Sequence, residues 1–96
     1  METIQHTLHA PEALEVRTGR MKGEVNLRWR PVLTSKKYII QHSADGANDW
    51  TDAATTTRPK ATIGELATAT KPWFRTAALD AKGQGPWSDP TTGWVA

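Results

Sequence analysis

The chain has 96 residues, 38% hydrophobic and 23% charged, enough for one domain with no room for a second of ordinary size. Twelve Lys/Arg against ten Asp/Glu give a net charge of +2, well short of the charge density that drives phosphate-backbone binding, so no nucleic-acid partner is expected. The absence of cysteine excludes a disulfide scaffold, a Cys-ligated zinc and thiol chemistry, and no apolar run approaches the ~18–20 residues of a membrane span.

Residues 1–9 are polar, carry His6 and His9 and lack a turn signal; they read as a leader or linker, with the domain proper at residues 10–96. Their start is neither basic nor apolar, so no signal peptide is expected, and the chain's compartment stays open: extracellular if it was excised from a longer exported protein, unexported otherwise. Only residues 12–17 and 77–82 could be read at a helical period, and both are too short to stand alone. Strand signals are frequent. A short run at 13–16 follows Pro11, and residues 24–30 alternate polar and apolar without a slip, with Val25, Leu27 and Trp29 inward and Arg28 and Arg30 outward. Residues 37–43 are rich in β-formers and precede the turn dipeptide Asp45-Gly46. Further strands are expected at 50–55 and 60–65, at 73–79 behind Pro72, and at 87–95 with a break near Pro90; residues 80–85 read as a Gly-rich loop. Seven short strands at this spacing, with turn signals between them, describe an antiparallel β-sandwich.

Several segments together resemble the fibronectin type III domain over about residues 11–90. They are Pro11 with Leu14 and Val16; the segment from Gly23 to Pro31, in which Trp29 fits the family's buried tryptophan; Tyr38-Ile39-Ile40-Gln41; Asp45-Gly46 with Trp50; and Phe74-Arg75-Thr76-Ala77-Ala78 followed by Gly83-Gln84-Gly85-Pro86-Trp87-Ser88-Asp89-Pro90. The resemblance implies an all-β, seven-stranded, antiparallel immunoglobulin-like β-sandwich with Greek-key connections. One sheet would hold the strands near residues 14, 27 and 63, and the other those near 40, 53, 76 and 90. The expected core is Leu14, Val16, Val25, Leu27, Trp29, Tyr38, Ile40, Ile63, Leu66, Phe74 and Ala78. Two positions depart from the family. Six residues after Leu66, where the family usually has a tyrosine, stands Pro72, so the hydroxyl bond of that corner is missing; and Thr76 stands where valine is preferred, so its hydroxyl needs a partner if buried. Setting Trp73 inward instead of Pro72 would also turn Arg75 inward as an unpaired charge. Pro72, Phe74, Thr76 and Ala78 are therefore expected to face in, and Trp73, Arg75 and Ala77 out. The family's Arg-Gly-Asp adhesion tripeptide is absent.

The candidate site is Trp50, Trp73, Arg75 and Trp87. With Trp73 and Arg75 outward on one strand and Trp87 on the adjacent one, a guanidinium can stack between indoles by cation–π attraction, and Pro86-Trp87-Ser88 resembles half of the tryptophan–arginine ladder of cytokine-receptor domains. The same indoles could instead form a patch offered to a partner. Trp94 reads either as a residue of the last strand or as a hinge contact. Other motifs have plainer readings. His6 and His9 belong to the polar leader and not to a metal site; His42 has no nucleophile or orienting carboxylate at a recognisable spacing; residues 45–49 lack the alternating ligands of a calcium loop; and Gly83-Gln84-Gly85 precedes Pro86, not a helix, so it cannot cradle phosphate. Ser35, Ser43 and Ser88 sit in no nucleophile motif, so no enzyme, cofactor or metal is expected. Arg17, Arg20, Lys22, Arg28 and Arg30 form a basic stripe, read as a solvated face or, less simply, an anion-binding one. The resemblance implies a non-catalytic spacer or protein–protein interaction module of a larger chain or assembly, whose partner is a protein or neighbouring domain. The alternative is a carbohydrate-binding module in which coplanar Trp50, Trp73 and Trp87 stack on sugar rings beside Asp52 or Gln41. Neither reading involves a membrane.

Overall fold

A computed structural model describes residues 8–96. The reading of residues 1–7, His6 included, lies outside the described residues. Eight strands run in chain order: β1 (Glu15–Thr18), β2 (Val25–Arg28), β3 (Lys37–Ser43), β4 (Thr51–Thr56), β5 (Lys60–Ile63), β6 (Trp73–Asp80), β7 (Gly83–Trp87) and β8 (Thr91–Thr92). They form two antiparallel sheets, β1-β2-β5 and β4-β3-β6-β7, with β8 pairing to the start of β6. The break expected near Pro90 separates β7 from β8 at Ser88-Asp89-Pro90, because proline cannot donate to a ladder, but of the strand expected at 87–95 only Trp87, Thr91 and Thr92 are paired, and most of β7 lies before it.

The alternation of β2 works as the sequence implies. Val25 and Leu27 are buried and Asn26 and Arg28 exposed, and Trp29 just beyond the strand is buried again. From the facing sheet come Tyr38, Ile40, Phe74 and Ala78, and Ile63 completes the centre. Trp29 and Tyr38 meet edge to face at 5.3 Å, and the Tyr38 hydroxyl accepts the Val32 N–H at 2.8 Å, which fixes the loop leading into β3. Leu14, Val16 and Leu66, expected in the core, are only half-buried and pack on its rim.

Four features differ from the sequence reading. Leu8, placed in the leader, is only 6% exposed and belongs to the core. A Cβ on Gly85 would lie 2.6 Å from that of Leu8, so the bare backbone of Gly85 is what lets Leu8 close over the end of the sandwich. The Gly-rich loop is also shorter than residues 80–85: Asp80 Oδ1 accepts the N–H groups of Lys82 and Gly83, so the chain turns within three residues and β7 starts at Gly83. Ala77 lies on the outward face of β6 yet is fully buried, because its small methyl sits between larger cross-strand partners, Ile39 and Trp87. Val95, near the end of the chain, is 2% exposed.

Val95 bears on the missing tyrosine. Val95 N–H donates to Thr70 O, Ala69 N–H to Val95 O, and Thr92 Oγ1 to Pro72 O, while Leu66 N–H donates to Gly23 O. The corner between β5 and β6 is therefore held, largely by the C-terminal segment, through bonds to main-chain carbonyls that need no particular side chain at residue 72.

Candidate functional site

β6 lies between β3 and β7, and its odd-numbered residues face away from the core. This places Arg75 on the outer face, opposite Gln41 of β3. The Arg75 guanidinium carbon lies 4.3 Å from the ring centre of Trp50 and 4.2 Å from that of Trp87. Trp50 comes from the β4 side of the sheet and Trp87 from the β7 side, so the cation is flanked from both directions. Arg75 Nε and Nη2 both donate to Gln41 Oε1, at 3.0 and 2.7 Å, and Gln41 Nε2 in turn donates to Asp52 Oδ1 at 2.9 Å. The carboxylate thus fixes which end of the amide meets the guanidinium. Burial lowers the pKa of Arg75 from its ordinary value, but a guanidinium stays charged in proteins. A planar cation with both faces against indoles and two donors satisfied makes a rigid, half-buried unit.

Trp73 is not part of that unit. It is outward on β6, two residues before Arg75, but its ring packs over Gly46: a Cβ there would lie 2.8 Å from the indole, and Gly46 also has φ +76°, a conformation glycine adopts without strain. Among the described residues, no ring contact joins Trp73 to Trp50 or Trp87. The turn under Trp73 is built by side chains. Asp45 Oδ1 accepts the N–H groups of Ala47 and Asn48 and the Ser43 hydroxyl hydrogen-bonds to it, which together hold the Asp45 carboxyl below its ordinary value. Residues 45–49 are thus a capped turn.

The remaining candidates are dispersed. Trp94 is 58% exposed, with Lys71 Nζ 5.6 Å from its ring centre. His42 is half-buried beside Phe74. Ser88, just beyond the end of β7, is buried, and its Oγ accepts the N–H of Thr76 at 3.0 Å. Thr76 meets the requirement stated for its hydroxyl by donating to Ile39 O at 3.1 Å. No group of three His, Asp or Glu side chains that could hold a metal occurs among the described residues.

The other sheet carries a charged face that the sequence reading described only in part. Arg28 Nε donates to Glu15 Oε2 at 2.6 Å, Arg17 lies 3.5 Å from the same carboxylate, and Arg30 lies 3.9 Å from Glu12. The Arg28 bond comes first among the causes that lower the pKa of Glu15. Arg58 and Lys60 join Arg17 and Arg28 around a groove of about 520 Å³. These two residues lie far along the chain from the basic stripe, and only the pairing of β5 with β2 brings them to it.

No protein-family model matches the sequence, and no curated protein matches it. Solved structures do. An Fn3-like protein from Clostridium thermocellum is 21% identical at a TM-score of 0.82, over 90% of this chain and 91% of that one. The fn3 domain of the human collagen alpha-1(XX) chain is 19% identical at a TM-score of 0.79, over 100% and 92%. In the twitchin kinase region from C. elegans the match covers 93% of this chain but 17% of that one, at 21% identity and a TM-score of 0.80, so there the fold is one part of a larger chain. With its two antiparallel sheets, their strand order and the buried tryptophan of β2's end, this chain has the fibronectin type III fold.

Proposed function

We propose that this chain is a non-catalytic module of a larger chain or assembly, acting as a rigid spacer that also meets neighbouring protein. The observation that carries this reading is where the two ends of the sandwich lie. Leu8 packs beside Gly85 next to the β6–β7 turn, whereas Val95 bonds to Thr70 at the corner before β6. The length of β6, about 23 Å at the usual rise per residue, separates the two. Neighbours joined before and after such a module would be held apart, and the matching domain of the twitchin region is likewise one part of a longer chain. The sugar-platform alternative has less to rest on, because Trp50 and Trp87 turn a face to Arg75 and Trp73 packs on a different loop.

The test is to insert the chain between two dye-labelled domains of known structure and measure single-molecule energy transfer. A spacer holds one narrow transfer efficiency until the sandwich unfolds. A distribution as broad as that of a flexible linker of equal length would sink the spacer reading, and retention on insoluble polysaccharide would restore the sugar-binding one.

A further inference from the structure

We infer that the outer face of the β1-β2-β5 sheet is a docking groove for an extended acidic segment of a partner protein, with acidic side chains at alternate positions. This rests on reading the chain as a protein-contacting module. Three observations carry it. The first is charge: Arg17, Arg28, Arg58 and Lys60 line the groove, Glu15 provides one carboxylate shared between Arg17 and Arg28, and Arg58 and Lys60 form no ion pair among the described residues.

The second is an unfavourable pairing. Arg28 stands directly opposite Lys60 across the β2–β5 ladder, and like charges so placed repel. A bound anion would relieve this repulsion. The third is the polarity of the lining. Asn26 and Thr62 hold the groove's other polar groups; Thr62 Oγ1 donates to Asn26 Oδ1 at 2.7 Å, and the Asn26 side-chain N–H groups donate to no partner among the described residues. The groove therefore presents mainly donors and favours a ligand rich in acceptor oxygens.

Spacing selects the class of ligand. Arg28 and Lys60 face each other about 5 Å apart across the ladder; Arg17, opposite Asn26, stands two residues, about 7 Å, further along the sheet, and Arg58 two residues before Lys60 on the other side. An extended peptide repeats its same-side residues at that second distance, so alternate Asp or Glu residues can each meet a cation. The aliphatic stems of the arginines and lysine, with Ala61 between them, supply apolar contact to the intervening residues.

The test is fluorescence anisotropy with the full chain and a labelled peptide of about eight residues alternating Glu and Thr. The peptide should bind at low salt and weaken as salt rises. Binding should fall about tenfold or more in the double variant R58Q/K60Q, whose exposed substitutions should leave the circular dichroism spectrum unchanged and the Tm no lower, since the repulsion between Arg28 and Lys60 is removed. A peptide of the same composition with its glutamates in one block should bind more weakly. The inference is overturned by no binding at low salt, by equal binding of the double variant or the blocked peptide, or by tighter binding of a single-stranded oligonucleotide or sulfated oligosaccharide of equal charge. Each of those results leaves the energy-transfer test of the spacer untouched.

Discussion

The two outer faces of this sandwich handle cations in opposite ways. On the β4-β3-β6-β7 sheet a single arginine, Arg75, has an indole on either side and Gln41 as acceptor, and Asp52 holds Gln41 in turn. On the β1-β2-β5 sheet, Arg17 and Arg28 share the carboxylate of Glu15, Arg58 and Lys60 have no ion pair among the described residues, and all four remain in water. The first arrangement contributes to stability, since a partly desolvated planar cation between aromatic faces gains more than a solvated one. Exposed ion pairs of the second kind contribute little, because water and salt screen them and two long side chains must be ordered. Charge on a protein surface thus serves folding where it is enclosed and is available to a partner where it is not.

Both faces depend on the core between them, so the largest effect is expected there. Trp29→Ala should cost ~3–5 kcal/mol in urea unfolding. A variant as stable as the parent would mean that the β2 register is wrong. Trp29→Phe should cost less, because the buried indole N–H has no partner among the described residues and its removal relieves that cost.

The comparison itself is sharpened by removing one arginine from each face. Arg75→Ala should cost ~1–3 kcal/mol, and a double-mutant cycle with Trp87→Ala should show non-additivity. Arg28→Ala should shift Tm only slightly, and that shift should shrink as salt is added. Equal losses for the two would erase the distinction between the faces. Ser88→Ala probes the enclosed side from within. It leaves the buried Thr76 N–H without its acceptor and should cost ~1–2 kcal/mol.

The smallest effect is with acid. Asp45 has a lowered pKa in the folded chain, so the stability it contributes is fully present above its ordinary value of 3.8 and is lost as the pH falls through the lower folded value. Glu15 follows the same sign from its ordinary value of 4.5. In an NMR titration the Ala47 and Asn48 amides should shift with a midpoint below 3.8. A midpoint above that value would show that the turn does not favour the carboxylate.

Much of this arrangement is legible in the sequence. The uninterrupted alternation of residues 24–30 sets which side chains face inward, because a strand's period of two permits only one register that buries Val25, Leu27 and Trp29 together. The same parity, with the cost of burying an arginine, sets Arg75 outward and Phe74, Thr76 and Ala78 inward. Aspartate-glycine and proline mark where strands stop, because their backbone preferences are local.

What local chemistry could not decide is which outward groups meet. By sequence, Trp73 and Trp87 are the indoles expected about Arg75, and Trp50 enters only as part of an exposed patch; the tight turn at Gly46 draws Trp73 away, and the β3–β4 pairing delivers Trp50. Leu8 and Val95 carry no periodic signal, since each is a lone apolar residue in a polar segment, and only the closed sandwich gives them a core to enter. The basic groove joins residues 17 and 28 to residues 58 and 60 through cross-strand register, a contact set by the tertiary structure. Sequence by itself therefore determined the fold and the facing of each strand, through periodicity and the cost of buried charge. Tertiary structure alone decided which cation is enclosed and which stay open to a partner, because that depends on residues brought together from distant parts of the chain.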